Sequence, residues 1–290
     1  MNHLGTISCV AMFFLKLGGS LITDKTRQNT PRLDVIQRLA GEIKTWWSEQ
    51  NSHVQLLLIG HGSGSFGHAA AQRYGTRAGV CDAESWRGFA EVSVAAARLN
   101  RIVADALFEA GLPVISFCPS ASARCQDGLL VYLDTAPIRA ALERGLVPLV
   151  MGDVAFDTVR GGTIVSTEEV FAYLARELPV THVLLAGETA GVYVRFPPSE
   201  ANAEVIRRLT PREWEGVRAA VGRARGADVT GGMAAKVRDM LSLVTVRPTV
   251  TVRIFSGLVA GNVLSALRGD SLGTEIAATD DARLVGSVTA

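Results

Sequence analysis

Short apolar runs alternate with longer amphipathic segments along almost the whole of this 290-residue chain. The apolar runs have the length and the aliphatic content of buried strands, and the segments between them repeat apolar residues with a helical period. The sequence predicts strands at 13–17, 54–59, 114–117, 146–151, 183–186 and 251–255, and helices at 33–49, 84–110, 168–178 and 233–246. Such alternation is typical of a mostly parallel sheet that helices cover on both faces. The glycine pair in 157–162 predicts a hairpin turn.

Charge and composition exclude several classes of protein. The chain has 29 basic and 28 acidic residues, so it lacks the basic surface that binds nucleic acid. No stretch approaches the roughly 18 apolar residues of a membrane span. The four cysteines, Cys9, Cys81, Cys118 and Cys125, have no metal-site spacing. This pattern favours reduced thiols in a cytoplasmic protein over disulfides or a zinc site.

The segment 12–290 is interpreted as a single domain. Residues 1–11 have no periodic pattern, and their apolar run is too short for a signal peptide. Met12 directly precedes the first predicted strand, so residues 1–11 are interpreted as a disordered leader or a wrongly assigned start. Within the domain we expect two lobes, about 12–180 for the substrate and about 181–290 for a nucleotide.

Two of the predicted strands run directly into glycines. The first continues into K-L-G-G-S at 16–20, and the second into G-H-G-S-G-S-F-G-H at 60–68. Glycine has no Cβ, so the backbone N–H groups of such loops can wrap around an anion. Two loops of this kind predict a protein that holds two phosphate groups at once, as a kinase must.

Lys16 and His68 add charge and a hydrogen-bond donor to these loops. A lysine in an apolar strand is costly to bury unless an anion pairs with it, although an edge lysine could reach water instead. His68 follows the second loop, where we expect the start of a helix, and it could be either a phosphate ligand or a helix-end residue. His61 could shape the same loop.

A dinucleotide-binding interpretation of G-S-G-S-F-G at 62–67 is disfavoured. The motif matches G-x-G-x-x-G, but that fold needs a second strand ending in an acidic residue about twenty residues later. Asp82 and Glu84 lie near that distance, yet no buried strand precedes them. The Walker A pattern of ordinary P-loops is absent.

Three further motifs carry candidate site residues. D-V-T-G-G-M-A-A-K at 228–236 sets glycines before a helix and Lys236 one turn inside it, which suits the terminal phosphates of a nucleotide. Asp153 closes a strand and could position a lysine or a substrate group, or simply form a turn. Glu168 and Glu169 begin a helix, where the helix dipole favours acidic residues in any case.

In their order along the chain, these motifs resemble the amino acid kinase family. The matching elements are K-L-G-G-S, T-D-K at 23–25, G-H-G-S-G-S-F-G-H, G-D-V-A-F-D at 152–157, A-G-V-Y at 190–193, D-V-T-G-G-M-A-A-K and G-T-E-I at 273–276. The histidine that ends the second loop marks the branch that phosphorylates isopentenyl phosphate or fosfomycin. The resemblance implies an open αβα sandwich, usually a homodimer. It also implies ATP with Mg²⁺, and transfer of the γ-phosphoryl group to isopentenyl phosphate in isoprenoid precursor biosynthesis.

The resemblance further implies a role for individual residues. Lys16 and Lys236 would hold the transferring phosphoryl group with help from Lys25, Glu168 would orient the lysines, and His68 would donate to the substrate phosphate. The implied nucleotide contacts are Lys16, Gly18, Gly19, Ser20, Ser63, Glu188, Gly191, Tyr193, Gly231, Gly232 and Lys236. The implied substrate contacts are Gly62, Ser63, Gly64, Gly67, His68, Gly152 and Asp153. No side chain is expected to be a metal ligand.

Two departures from the family pattern leave questions open. The family has S-G-D-D where this chain has S-T-E-E at 166–169, so either Glu168 or Glu169 could replace the aspartate that orients the lysines. The family's D-x-D-G-V-Y is E-T-A-G-V-Y at 188–193. A kinase for another small phosphate or phosphonate, such as fosfomycin, stays an alternative, since the pocket for the acceptor's tail is expected from 69–99. A non-catalytic nucleotide-binding module is disfavoured because all three lysines are present.

Overall fold

The computed structural model describes residues 11–50, 55–194, 204–221 and 232–279. Strands and helices alternate along most of these residues, as the sequence predicts. The strands are β1 Ala11–Leu17, β2 Gln55–His61, β3 Val114–Phe117, β4 Arg124–Gln126, β5 Leu129–Tyr132, β6 Val147–Met151, β7 Asp153–Asp157, β8 Gly161–Val165, β9 His182–Gly187, β10 Arg208–Leu209, β11 Thr251–Ser256 and β12 Thr274–Ile276. The helices are α1 Gly19–Ile22, α2 Leu33–Glu49, α3 Gly64–Tyr74, α4 Ala83–Glu109, α5 Ala136–Glu143, α6 Thr167–Glu177, α7 Pro211–Val221, α8 Gly232–Val246 and α9 Asn262–Leu267.

The main sheet has eight strands in the order β10-β12-β11-β9-β1-β2-β6-β3. Its neighbours are parallel except for β11 and β12, which pair antiparallel. The predicted mostly parallel sheet and all six predicted strands are therefore confirmed. β1 begins at Ala11, one residue before the expected start of the domain, and Ala11 pairs with Gln55. Strands from before residue 180 form one half of the sheet, and later strands form the other.

Side chains of β1 alternate between two buried cores, one on each face of the sheet. Met12 and Phe14 pack in the core that contains residues of α6 and α8, whereas Phe13, Leu15 and Leu17 pack in the core that contains residues of α2 and α4. Phe14 lies against Phe171 of α6 with ring centroids 5.1 Å apart. Because strand side chains alternate with a period of two, Lys16 belongs to the α6 and α8 face.

A second sheet of four strands, β5-β4-β7-β8, lies apart from the main sheet in hydrogen bonding. Its β7–β8 hairpin confirms the predicted turn at 157–162. Gly161 has φ +74°, and a Cβ there would lie 2.1 Å from the carbonyl oxygen of Val80, so this turn requires glycine. No sequence pattern predicted β4 and β5, which have only three and four residues.

Membrane spans and cysteines, two features considered from the composition, can be compared with the structure. No helix within the described ranges is both long enough and apolar enough to cross a membrane. Cys81, Cys118 and Cys125 are free thiols, with Cys125 buried, and Cys9 lies outside the described residues.

Candidate active site

The two glycine loops pack against each other backbone to backbone at the ends of β1 and β2. A Cβ on Gly19 would lie 2.4 Å from the backbone nitrogen of Gly64, and a Cβ on Gly64 would lie 2.1 Å from Oγ1 of Thr23. Gly64 also has φ +49°, which side chains rarely tolerate. These glycines are therefore required for the contact between the loops.

Several amides of these loops are used within the protein, which corrects part of the phosphate-cradle prediction. The N–H of Gly62 donates to the carbonyl of Leu17 at 3.1 Å. The N–H of Ser65 donates to Oγ1 of Thr23 at 2.9 Å. Among the described residues, the structure shows no protein acceptor for four other amides. These are Gly19, Ser20, Ser63 and Gly64, two from each loop. The two loops thus offer one pair of donors each, side by side.

Helix α3 begins earlier than the sequence suggested. It starts at Gly64, so His68 lies in its second turn and not at its N-terminus. His68 is half-buried and lines the same cavity as the loop glycines. The expectation of a helix start at His68 was wrong because the glycines between 64 and 67 hide the first helical turn.

Lys16 and Lys236 approach the same carboxylate. Nζ of Lys16 lies 2.6 Å from Oε1 of Glu168, and Nζ of Lys236 lies 3.9 Å from that oxygen. Lys16 and Glu168 are 6% and 7% exposed, so the strand lysine is buried and paired and does not reach water. Burial opposes ionisation of Glu168, but the two ammonium groups outweigh it and hold the pKa of the carboxyl below its usual range.

Glu169, the neighbouring glutamate, has a different structural role. Glu169 forms a capping box with Ser166 at the N-terminus of α6: Ser166 N–H donates to Glu169 Oε2 at 2.6 Å, and Glu169 N–H donates to Ser166 Oγ at 3.1 Å. Glu168 therefore contacts the lysines while Glu169 fixes the start of their helix. The longer glutamate side chain reaches Lys16 from the second position of α6.

Lys25 and Glu188 meet at the rim of the cavity. Nζ of Lys25 lies 2.9 Å from Oε2 of Glu188, and Nη1 of Arg32 lies 3.4 Å from Oε1. The side chain of Lys25 is 66% exposed, so this ion pair adds little to stability. It does place the predicted phosphate lysine beside the predicted nucleotide loop.

The loop that carries Glu188, Gly191 and Tyr193 is held by the closing G-T-E-I motif. Val192 N–H donates to Oγ1 of Thr274 at 2.8 Å, and a Cβ on Gly191 would lie 2.7 Å from the same oxygen. Only a residue without a side chain allows Thr274 this close to the loop. The G-T-E-I motif lies on β12, which is separated from β9 in the sheet by β11. It thus positions cavity residues of the loop that follows β9.

Asp153 lies in the cavity wall apart from the lysines. Its carboxylate accepts from Ser120 N–H at 3.1 Å and from Val154 N–H at 2.8 Å, and burial raises its pKa. The described contacts of this carboxylate include no lysine, so they do not support the role of positioning a lysine. A contact with the substrate stays a prediction. Gly152 precedes it, and its N–H donates to the carbonyl of His61 at 3.2 Å.

His61 is fully buried beneath the second loop. Asn100 Nδ2 donates to its Nε2 at 3.1 Å, so Nδ1 carries the proton and donates to the carbonyl of Gly62 at 3.1 Å. Burial, with a smaller contribution from the charge of Lys16, lowers the pKa of His61 to about 4. The loop-shaping role suggested for this histidine fits these contacts.

Acid should destabilise the protein through His61. The folded pKa of about 4 lies below the ordinary value of 6.5, so between these values the unfolded chain binds a proton that the folded protein does not. Stability is therefore full above pH 6.5 and falls as the pH drops toward 4. We expect His61 to account for a loss of about 2 kcal/mol between pH 7 and pH 5. Urea unfolding of the wild type and of His61→Gln at both pH values measures it, and equal losses in the two proteins would contradict it.

The predicted site residues line one cavity of about 720 Å³. Every residue to which the family resemblance assigns a role or contact lines it except Gly231, which lies outside the described residues, whereas the alternative candidate Glu169 does not line it. Ala71, Val92, Ala96 and Ile164 give part of its wall an apolar character, and the first three come from the region 69–99 expected for the acceptor's tail. Arg77 and Asp239 also line the cavity, although no sequence motif pointed to them.

Asp239 lies one helical turn beyond Lys236 on α8. Burial raises its pKa to about 6, and the nearby carboxylates of Glu168 and Glu169 add to the rise while Arg238 and Arg77 oppose it. No cluster of three or more His, Cys, Asp or Glu side chains suited to a metal ion is found within the described ranges. Glu168 and Asp239 line the cavity together with the two lysines, and carboxylate oxygens are ligands that Mg²⁺ takes along with substrate phosphates.

The sequence model of the amino acid kinase family matches residues 11–256, and the chain belongs to this family. It is 33% identical over 270 residues to an isopentenyl phosphate kinase of Methanocaldococcus jannaschii, covering 90% of this chain and 97% of that protein. It is 35% identical over 277 residues to an isopentenyl phosphate kinase of Methanothermobacter thermautotrophicus, covering 91% and 98%. An X-ray structure of isopentenyl phosphate kinase superposes with a TM-score of 0.76 at 32% identity, covering 91% of this chain and 99% of that one.

Proposed function

We propose that this protein transfers the γ-phosphoryl group of ATP to isopentenyl phosphate and so forms isopentenyl diphosphate. The observation that carries the proposal is the convergence of Lys16 and Lys236 on Glu168 beside two adjacent pairs of loop amides. Relatives that share a third of its residues over nearly their whole length bear the name of this activity.

The two lysines neutralise charge on the transferring group. Glu168 holds Lys16 at 2.6 Å and lies within 3.9 Å of Lys236, so the ammonium groups keep their places before a phosphate arrives. Preorganised charge of this kind acts where negative charge develops in the transition state. The acceptor is itself an oxyanion, so the transfer needs positioning and charge neutralisation more than a general base. A Mg²⁺ ion would be held mainly by the nucleotide phosphates and would supply neutralisation of their charge.

The acceptor phosphate lies at the loop between β2 and α3. Amides of Ser63 and Gly64 and the imidazole of His68 supply its hydrogen bonds, and the isopentenyl tail extends toward Ala71 and Val92. The nucleotide lies on the side of Gly18, Gly19, Ser20 and the 188–193 loop. In this arrangement the acceptor lies on elements before residue 180, whereas the nucleotide lies between the first glycine loop and the half of the domain after residue 180.

The protein forms a homodimer in this proposal. Exposed apolar side chains on the edge strands β3 and β5 support it: Ile115 is 40% exposed, Leu129 69% and Val131 51%. Light scattering should give twice the chain mass of 30.8 kDa, and a single-chain mass at working concentration would contradict it.

An ADP-release assay with five acceptors tests the proposed substrate. The acceptors are isopentenyl phosphate, dimethylallyl phosphate, fosfomycin, UMP and acetylglutamate. Burying the five-carbon tail contributes roughly 0.8 kcal/mol per CH₂, so we expect the two short isoprenoid phosphates to give the highest kcat/KM. Fosfomycin or UMP as the better substrate would contradict the isoprenoid assignment.

A further inference from the structure

Arg77 makes an ordered set of contacts that none of the roles above uses. It lies just beyond α3, the helix that carries His68, and its side chain reaches across the cavity wall to the start of α6. Its Nη1 donates to Oε2 of Glu169 at 2.9 Å, and its Nη2 donates to Oε1 at 2.8 Å. Nη1 also donates to the carbonyl of Ile164. Both oxygens of Glu169 are thus held in a bidentate pair.

The partner of Arg77 is the residue that fixes the start of α6. Oε2 of Glu169 accepts from both Arg77 and Ser166 N–H, so the guanidinium is joined to the capping box through one oxygen. The next residue back is Glu168, whose carboxylate holds Lys16. A second contact anchors the same turn, because Thr167 Oγ1 donates to the carbonyl of His61 at 2.7 Å.

The backbone of Arg77 is held to the same region. Its carbonyl accepts from Thr163 Oγ1 at 3.0 Å, so the residue is attached to β8 immediately before α6. Arg77 therefore connects the segment after the acceptor helix α3 to the helix turn that presents the lysine-orienting carboxylate.

We propose that Arg77 is a positioning residue that sets Glu168, and through it Lys16 and Lys236, relative to the acceptor helix. This inference rests on the proposed phosphoryl transfer. Arginine suits the role because its planar guanidinium matches both carboxylate oxygens at once, whereas lysine offers a single point charge. Arg77 acts on turnover without touching the reacting phosphates.

Turnover of Arg77→Met tests the proposal. The variant keeps most of the aliphatic volume and loses the two hydrogen bonds to Glu169 and the one to the carbonyl of Ile164. We expect kcat to fall by roughly 10-fold to 100-fold, because a misplacement of about 1 Å in a reacting group can cost about 100-fold. The KM for ATP and the Tm should change little. Arg77→Lys should recover only a small part of kcat, because it restores charge without the bidentate geometry.

Arg73→Met is the matched control. Arg73 lies on the last turn of α3, is exposed and stacks over Tyr74 at 4.8 Å, so its loss should leave kcat unchanged. A double-mutant cycle with Glu169→Gln should show strong coupling, the double variant being little worse than Arg77→Met alone. Normal kcat in Arg77→Met, full recovery with lysine, or a loss explained by a collapsed Tm would each overturn the role of Arg77.

The acceptor panel separates the two proposals. If the wild type turns over another acceptor in place of isopentenyl phosphate, the substrate assignment fails while the Arg77 comparison is made with that acceptor. If isopentenyl phosphate is turned over and Arg77→Met matches the wild type, only the role of Arg77 fails. A wild type inactive with all five acceptors would contradict both.

Discussion

Lys236→Ala should lower kcat by roughly 100-fold to 1,000-fold while binding of isopentenyl phosphate changes little. Nζ of Lys236 lies 3.9 Å from the carboxylate oxygen that also holds Lys16, and it faces the cavity at the start of α8. A contact made to charge that develops during transfer contributes about 2.7–4 kcal/mol in the transition state. Since the proposed place of the acceptor phosphate is at α3, on the other side of the cavity, the loss should appear in kcat. Steady-state kinetics with both substrates varied measures it.

Arg238→Ala is the control for this variant. Arg238 lies on the same helix with its side chain 69% exposed, and its only described ion pair is with Asp239 at 3.6 Å. The substitution Arg238→Ala removes one positive charge from the same helix, as Lys236→Ala does, but it removes no contact with Glu168. Unchanged turnover in Lys236→Ala, or an equal loss in Arg238→Ala, would mean that Lys236 does not meet the transferring group.

Substitutions of His68 should rank the wild type first, His68→Gln second and His68→Ala last in turnover of isopentenyl phosphate. An imidazole N–H directed at the acceptor phosphate strengthens its hydrogen bond as charge moves in the transition state. Glutamine keeps a donor of similar reach, whereas alanine keeps none. His68 lies in the second turn of α3, so neither change disturbs the cap of the helix.

ATP binding separates this role from a structural one. Titration with ATP and the Tm should be the same in all three proteins, because the proposal places His68 against the acceptor and not the nucleotide. Wild-type kinetics in His68→Ala would leave the residue as an ordinary helix residue. It would also remove the main residue-level support for a phosphate acceptor over a carboxylate.

The sequence was enough to predict the sheet and a set of residues that line one cavity, because two strong patterns coincide. Lys16 interrupts an otherwise apolar strand directly before paired glycines, and burial with an ionised partner is the physical consequence of that placement. The structure shows the partner of Lys16, which is Glu168 and not Glu169 of the S-T-E-E motif. Helix α2 was predicted with its exact bounds because its apolar period is uninterrupted.

Other features depend on contacts between distant segments that no local pattern shows. The glycines of the two loops looked like anion ligands alone, but Gly19 and Gly64 also allow the loops to touch. Arg77 follows no motif, and its partner lies 92 residues away. The strands β4 and β5 are too short for a periodic signal. They are defined by the pairing of β5 with β4 and of β4 with β7.

The most direct test of the proposed reaction identifies the bond that forms. Phosphorus NMR of the protein with ATP, Mg²⁺ and isopentenyl phosphate should show the monophosphate signal replaced by two mutually coupled signals of a diphosphate ester, in step with ADP. That outcome shows transfer to the acceptor's phosphate oxygen. Formation of ADP with inorganic phosphate and an unchanged isopentenyl phosphate signal would contradict the proposed function.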